Sequence, residues 1–328
     1  MVIYIGLASE SSVHDVLEKC HYLGSDVGIV SIDSVGKGVE HMCTVSSKSS
    51  AILQLTNGRV IDILDSTIAS VWFRKQLAKH GKPYSREQTL EESILQFGLN
   101  EKSKLQDGLL YVIENNKSCL GSYKRNDVSK LEVLNVASKV GLSVPYTVVT
   151  TSRSAIESLI KTKYKKLICK SIHGSFRHLD GNSALINYSL MIDSCSISTL
   201  PRDFAPSLFQ EYIDKEIEIR SFFLVDKFYS MAIFSQSDEK TRVDFRQYNW
   251  KKMNRMVPYQ LPVHIEDKLF DLMSNLGLNT GSIDLIRNLA GEYVFLEVNP
   301  TGQFGFLEAH CRYNLTSLIA ERMINGDL

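Results

Sequence analysis

One stretch constrains this chain more than any other: Gly281-Ser-Ile-Asp284-Leu-Ile-Arg-Asn-Leu-Ala-Gly-Glu-Tyr-Val-Phe-Leu-Glu297-Val-Asn299-Pro300. Runs of strand-favouring residues flank Ala290-Gly291, the pattern of an antiparallel hairpin. A turn at that dipeptide puts Asp284 opposite Glu297 across the ladder, and Asn299, two residues on, shares the face of Glu297. Two carboxylates and an amide oxygen on one patch repel one another unless a cation joins them. They suit Mg²⁺, which takes a few protein oxygens and fills its octahedron with phosphates and water. The competing reading is a solvated hairpin face with unrelated acids, so the surroundings decide.

Those surroundings are ample. A chain of 328 residues has room for about two compact units. With 44% hydrophobic and 23% charged residues, 19 Gly and 7 Pro, it is neither disordered nor collagen-like. Lys plus Arg equals Asp plus Glu at 37 each, so no global field draws it to nucleic acid or an anionic membrane, and electrostatic specificity must be local. Six dispersed cysteines with no C-x-x-C pair suggest reduced thiols rather than zinc or a disulfide framework. The start lacks the n- and h-regions of a signal peptide, and no window reaches the roughly 18 apolar residues of a membrane span. The expected location is the cytoplasm.

Val2 to Ile5 reads as a buried parallel strand, Val13, Val16, Leu17 and Cys20 as a helix ending by Gly24, and Val27 to Ile32 as the next strand. This β-α-β opening lacks G-x-G-x-x-G, which excludes a dinucleotide site there. Ala51 to Leu55 and Arg59 to Ile63 flank Asn57-Gly58, a type I′ hairpin signal; Ser70 to Phe73 is another strand, and 85–116 a long Glu-rich helix. The turn-rich segment 119–127 marks a first boundary near residue 120. Beyond it, a helix is predicted from Asp127 as N-cap to Val140, with Gly141 as C-cap, then strands at 146–150 and 167–170. Strands at 209–213, 217–225, 228–234, 283–286 and 293–298, with helices near 264–276 and 314–324, make the rest an α+β unit rich in antiparallel sheet.

Leu296-Glu297-Val298-Asn299-Pro300, with an Asp on the preceding strand, resembles the metal-binding end of ATP-grasp ligases. Ser129-Lys130-Leu131 with Gly141-Leu142-Ser143-Val144-Pro145-Tyr146-Thr147 resembles the family's "K…L…GL-x-x-P-x-T" entry to its ATP-binding domain. Lys170, before Ser171-Ile172-His173-Gly174-Ser175, falls where the family keeps a second lysine and a small-residue turn; a compact ammonium and exposed backbone amides suit phosphate oxygens. Either lysine alone reads as a surface residue. Gln210-Glu211-Tyr212-Ile213 resembles the hinge strand whose backbone reads adenine, and Glu218-Ile219-Arg220 the "D/E-x-R" element whose Arg spans the transferring phosphate and the substrate carboxylate. An exposed cross-strand ion pair is the alternative for that element.

The resemblance therefore implies a chain of α/β and α+β parts with the ATP-grasp fold behind an N-terminal β-α-β pre-ATP-grasp domain. Its units would be an N-terminal domain over 1–120, a central subdomain over 121–200 and a C-terminal subdomain over 201–328. It implies ATP and Mg²⁺ as cofactors, with Lys130, Lys170, Gln210, Glu211, Tyr212, Ile213 and Glu218 on the nucleotide. Asp284, Glu297 and Asn299 fall on the metal, and Lys170 and Arg220 in catalysis.

Residues 235–262 are too long and polar for a plain connection, and carry six basic against three acidic side chains with Tyr248 and Trp250 beside them. They read as a groove for an extended acidic partner, or else as a solvated hairpin tip. The stretch "SQ…KT-x-x-DFR-x-Y…NR-x-x-PY-x-LP" resembles ATP-grasp peptide maturases of the grasp-with-spasm type, relatives of the microviridin ligases. Val71-Trp72-Phe73-Arg74-Lys75 resembles the "VWYRR" strand of the same group, with Lys75 and Gln76 where relatives often carry Arg and Pro. Trp72 and Phe73 also suit simple core packing. The implied activity is ATP-dependent activation of an Asp or Glu side chain as an acyl phosphate, then attack by a Thr, Ser or Lys side chain of the same ribosomal precursor peptide. That partner has a leader and an acidic core, with Arg74, Arg246 and Arg255 as substrate contacts, in a chain that is a candidate homodimer. The turn at 171–178 and the 235–255 segment are expected to close over the site. A ligase adding a free amino acid such as glutamate is the second reading, and a nucleotide-binding scaffold without catalysis the third.

Overall fold

The computed structural model describes every residue except 8, 9, 32–41, 75–88, 174–176, 181, 182, 187 and 248–252. Ile32, Lys75, Gln76, the Gly174-Ser175 turn, Tyr248, Trp250 and the first residues of the expected 85–116 helix lie outside the described residues.

Val2–Gly6 is buried along its whole length and pairs in parallel with Val27–Ser31 and Ser70–Phe73, the last pairing with Cys119–Leu120. Its side chains alternate between two cores. Ile3, Ile5, Val71 and Phe73 meet Leu109, Leu110 and Ile113 of the helix Leu90–Asn116, whereas Tyr4 and Trp72 meet Val13, Val16 and Cys20 of the helix Ser11–Tyr22. This second core also takes in Phe222, Phe304 and the C-terminal helix Leu315–Asn325, so the first and last parts of the chain share one hydrophobic interior.

Beside a small antiparallel sheet of Met42–Thr44, Ser50–Gln54 and Val60–Asp62 and a hairpin of Arg177–Asp180 with Ser183–Ile186, two larger antiparallel sheets follow. The smaller runs Leu190–Asp193, Lys166–Lys170, Asp203–Glu211, Thr147–Ser152, with Ile156 of the helix Arg153–Thr162 packed beneath it. The larger runs Arg255–Tyr259, Lys227–Phe234, Lys215–Leu224, Thr280–Asn288, Tyr293–Asn299. One face of it buries Ile217, Ile219, Phe223, Ile283 and Phe295 against the helices Lys130–Lys139 and Val263–Asn275. Its other face begins polar, with Glu218, Arg220 and Asp284, and turns apolar at Phe222 and Leu224, where the shared core starts.

Three local expectations change. At Asn57-Gly58 only the glycine has positive φ (87°), whereas a type I′ turn needs it at both positions; Leu55 accepts from the Gly58 N–H and donates to Arg59, and Gly58 alone reverses the chain. The helix predicted from Asp127 begins at Lys130 behind Ser129, because Ser122 Oγ accepts the Lys124 and Arg125 N–H groups and holds the preceding residues in turns. In the carboxylate hairpin the turn is wider than Ala290-Gly291: Asn288 accepts from the Gly291 N–H and pairs with Glu292, and near the tip Arg287 faces Tyr293 and Leu285 faces Phe295. Leu296 is then bulged out of the ladder, and the extra residue restores Asp284 opposite Glu297.

Candidate functional site

A cleft of about 1090 Å³, counting its open mouth, lies between the two larger antiparallel sheets, large enough for a nucleotide. Lys170 reaches it from the last position of its strand, where Nζ donates to Gln210 Oε1 at 2.9 Å; Gln210 Nε2 donates in turn to Thr147 Oγ1 at 3.1 Å. The neighbouring strands thus hold the ammonium through a neutral carboxamide, and burial lowers its pKa, opposed by Glu297. Lys130, first residue of its helix, donates to the Ser171 carbonyl at 3.1 Å and stands 3.5 Å from Glu297.

Across the cleft, Arg220 and Asp284 are register partners in adjacent strands, 3.1 Å apart from Nε to Oδ1. That buried Nε is not aligned to donate a hydrogen bond, so the pair is an incomplete one. Burial pushes the Asp284 carboxyl up to about 6; Arg220 pulls it down and Glu297 adds to the rise. Burial also works to raise Glu297, but Lys130 and Lys170 hold it below the ordinary carboxylate range. Two facing carboxylates thus have opposite tendencies, because Lys130, Lys170 and Arg246 together face Glu297, whereas at Asp284 the pull of Arg220 is set against burial and the repulsion of Glu297 and Glu218.

The remaining expected residues divide. Glu211, Tyr212 and Ile213 line the cleft beside Lys170, and Glu211 Oε1 accepts the Tyr146 N–H. Gln210 lines it too, with its side chain turned to Lys170. Glu218 is there, but its Oε1 accepts from Ser235 Oγ and from Lys215 Nζ at 2.8 Å, an internal role the sequence reading did not assign. Arg246 lines the cleft and is clasped by Asp244 at 2.8 and 2.6 Å. Burial tends to raise Asp244, yet the bonds from Arg246 prevail and hold it at about 2. Asn299 sits at the exposed end of its strand outside the cleft lining, its Oδ1 accepting from Thr301 N at 3.1 Å. Arg255 is exposed at an edge strand with its guanidinium 5.2 Å from the Phe234 ring. Arg74, expected at the substrate, is buried away from the cleft against Glu10, because Trp72 and Phe304 close over it.

Sequence reasoning missed Lys215, Asp244 and Phe245. Lys215 and Glu218, three apart on a strand, would ordinarily point to opposite faces, and the irregularity between Lys215 and Ile217 that brings them together has no sequence signal; Phe245, 5.8 Å from the Arg220 guanidinium, sits inside the D-F-R triplet already singled out. Among the described residues no three His, Cys, Asp or Glu side chains cluster for a metal, so the candidate metal set is two carboxylates and an amide.

No family model matches the chain, and no curated protein matches it. Solved structures do. A Chryseobacterium gregarium RiPP-associated ATP-grasp ligase, in complex with ADP and a leader and core peptide, superposes with a TM-score of 0.78 at 22% identity, over 99% of this chain and 96% of its own. The macrocyclase MdnC of Microcystis aeruginosa MRC, bound with precursor peptide MdnA, gives 0.75 at 24% identity over 99% of both chains. The ATP-grasp ligase PsnB, complexed with minimal precursor, Mg and ADP, gives 0.71 at 15% identity over 100% of this chain and 97% of its own. The chain therefore has the ATP-grasp fold along nearly its whole length, including the N-terminal parallel unit.

Proposed function

We propose that this protein is an ATP- and Mg²⁺-dependent ligase that forms side-chain ester or amide crosslinks between Asp or Glu and Thr, Ser or Lys in a ribosomal precursor peptide. The observation that carries the reading is the cleft itself. Lys130, Lys170, Arg220 and Arg246 converge on Asp284 and Glu297, on a fold whose solved relatives hold ADP and precursor peptides. In this reading 1–120, 121–200 and 201–328 are the N-terminal, central and C-terminal units, and the six free cysteines suit a cytosolic setting.

The donor set fits Mg²⁺. Burial pushes Asp284 up and the facing Glu297 adds to the rise, a penalty that a divalent cation removes, and Asn299 Oδ1 is held only by an exposed turn. Asp284 and Glu297 would hold the ion, with Asn299 as a third oxygen; bound there, it would neutralise charge on the phosphates. Lys170 and Lys130 grip the nucleotide phosphates, and the backbone from Glu211 to Ile213 reads the base. Arg220 bridges the terminal phosphate and the substrate carboxylate. The carboxylate takes the γ-phosphoryl group and ADP leaves. The hydroxyl or amine then attacks the acyl carbon, its proton passing to the phosphate that departs with the carboxylate oxygen. No enzyme nucleophile is needed, since positioning and charge neutralisation carry phosphoryl transfer. Arg246, released from Asp244, and the more distant Arg255 face an acidic core peptide.

The test is mass spectrometry of a Thr/Ser- and Asp/Glu-rich precursor after incubation with enzyme, ATP and Mg²⁺. Loss of one water per crosslink is expected. Gain of a free amino acid's mass would replace ring formation by amino-acid addition, and absence of ATP turnover with the precursor present would leave a binding scaffold. Arg255→Glu should slow crosslinking far more than it changes ATP affinity, because Arg255 stands outside the cleft lining and repulsion replaces attraction at the peptide alone.

A further inference from the structure

Arg74 ends the strand Ser70–Phe73, and its guanidinium lies 5.7 and 5.5 Å from the Trp72 and Phe304 ring centres. Nε donates to Glu10 Oε1 at 2.7 Å and Nη2 to the Gly302 carbonyl at 3.1 Å. Gly302 belongs to another part of the chain, the loop that follows the strand bearing Glu297 and Asn299. From the opposite side that loop is pressed onto Ser282, so closely that a Cβ on Gly302 would lie 2.2 Å from Ser282 Oγ. Within it, Gly302 N–H donates to the Asn299 carbonyl at 3.0 Å and Thr301 N–H to Asn299 Oδ1 at 3.1 Å. Gln303 adds a long link, its Oε1 accepting from Ser12 Oγ at 3.5 Å.

We propose that Arg74 is a positioning residue for the 299–303 loop: from the N-terminal sheet it holds the Gly302 carbonyl and so fixes the end of the strand that presents Glu297 and Asn299. What that strand end does rests on the functional reading above; the clamp itself does not. A buried Arg–Glu pair is replaceable by apolar side chains with little loss of stability, but an apolar side chain cannot hold a carbonyl in place. A structural role and a positioning role therefore separate in a double variant that removes both charges.

In Arg74→Met/Glu10→Met, thermal unfolding should stay near that of the wild type. Amide hydrogen exchange at Thr301 and Gly302 should quicken about tenfold, the scale of one lost hydrogen bond. The Mg²⁺ concentration that half-saturates tightening of a fluorescent ADP analogue should rise by about the same factor, while metal-free affinity for the analogue stays unchanged. Exchange at both amides within about twofold of wild type overturns the clamp. Arg74→Lys, which keeps the charge but cannot bridge Glu10 and Gly302 together, gives the same exchange readout if the double variant does not fold. A wild type whose ADP affinity ignores Mg²⁺ defeats the functional reading instead, and the exchange measurement alone then decides the clamp.

Discussion

The molecule contains two Arg–carboxylate pairs built from the same groups to opposite ends. Arg74–Glu10 is 2.7 Å long, 3% and 6% exposed, stacked between two aromatic rings and bonded onward to a backbone carbonyl. Arg220–Asp284 is 3.1 Å long and 18% and 21% exposed, with an Nε that donates to nothing and an acid whose pKa lies well above the ordinary range. The first pair is sealed and bonded onward to the backbone; the second keeps an unused buried N–H and faces the cleft. A buried ion pair makes a structural joint where it is closed off and tied to the backbone, and a binding site where an unused donor looks into a cleft.

The largest expected effect falls on the open pair. Asp284→Asn and Glu297→Gln should each abolish crosslinked product in mass spectra; Asp284→Asn should melt no lower than wild type, since burial already disfavours its charge, whereas Glu297→Gln takes a counter-charge from Lys130 and Lys170 and should melt somewhat lower. Full activity in either variant would remove the metal assignment. Next, Arg74→Met alone should cost about 3–5 kcal/mol in urea unfolding, because Glu10 is left charged and buried, whereas Arg220→Met should cost only about 1 kcal/mol, because Asp284, already raised to about 6, readily takes up a proton once the guanidinium is gone. Equal losses would erase the contrast between the pairs.

Lys170→Ala should weaken ATP binding by about 1.5–3 kcal/mol, a rise of roughly one to two orders of magnitude in the ATP requirement, with little change in peptide affinity. The smallest effect is on pH. A carboxyl raised to about 6 in the folded state contributes stability that is fully present below its unfolded pKa, near 4, and is lost as pH rises through 6. Ligand-free protein should therefore lose at most about 3 kcal/mol across that window, partly offset by Glu297, whose lowered pKa acts in the opposite sense, and Asp284→Asn should flatten the slope. An unaltered slope in the variant would place the titration elsewhere.

Much of the site was legible because the ATP-grasp elements carry their chemistry at fixed strand positions: Lys170 at a strand end, Arg220 across from an acid, Glu297 across a hairpin. What was not legible depends on contacts between distant segments. Nothing local to Val71-Trp72-Phe73-Arg74 announces that Glu10 and Gly302 will meet the guanidinium, so an arginine beside a tryptophan read as a substrate contact. Glu218 read as a nucleotide ligand because Ser235 reaches it only once two strands pair, and Lys215 only where the strand carries an irregularity between Lys215 and Ile217. Asn299 had the right strand parity but stands one step beyond the cleft, capping its own turn.

The bulge at Leu296 behaves like a dislocation in a crystal lattice. Asp284 meets Glu297 with the defect at Leu296 and a wide tip, and would meet it equally with a tight turn at Ala290-Gly291 and no defect at all. The defect is therefore free to glide toward the tip without moving the two acids, and only the residues it passes change sides. Phe295 is one of them, and it is fully buried against the helices on the far face of the sheet. That ring, with the buried Val294 beside it, pins the dislocation, so changes at the hairpin tip are absorbed before they reach the carboxylates, and a polar residue at 295 would loosen the defect.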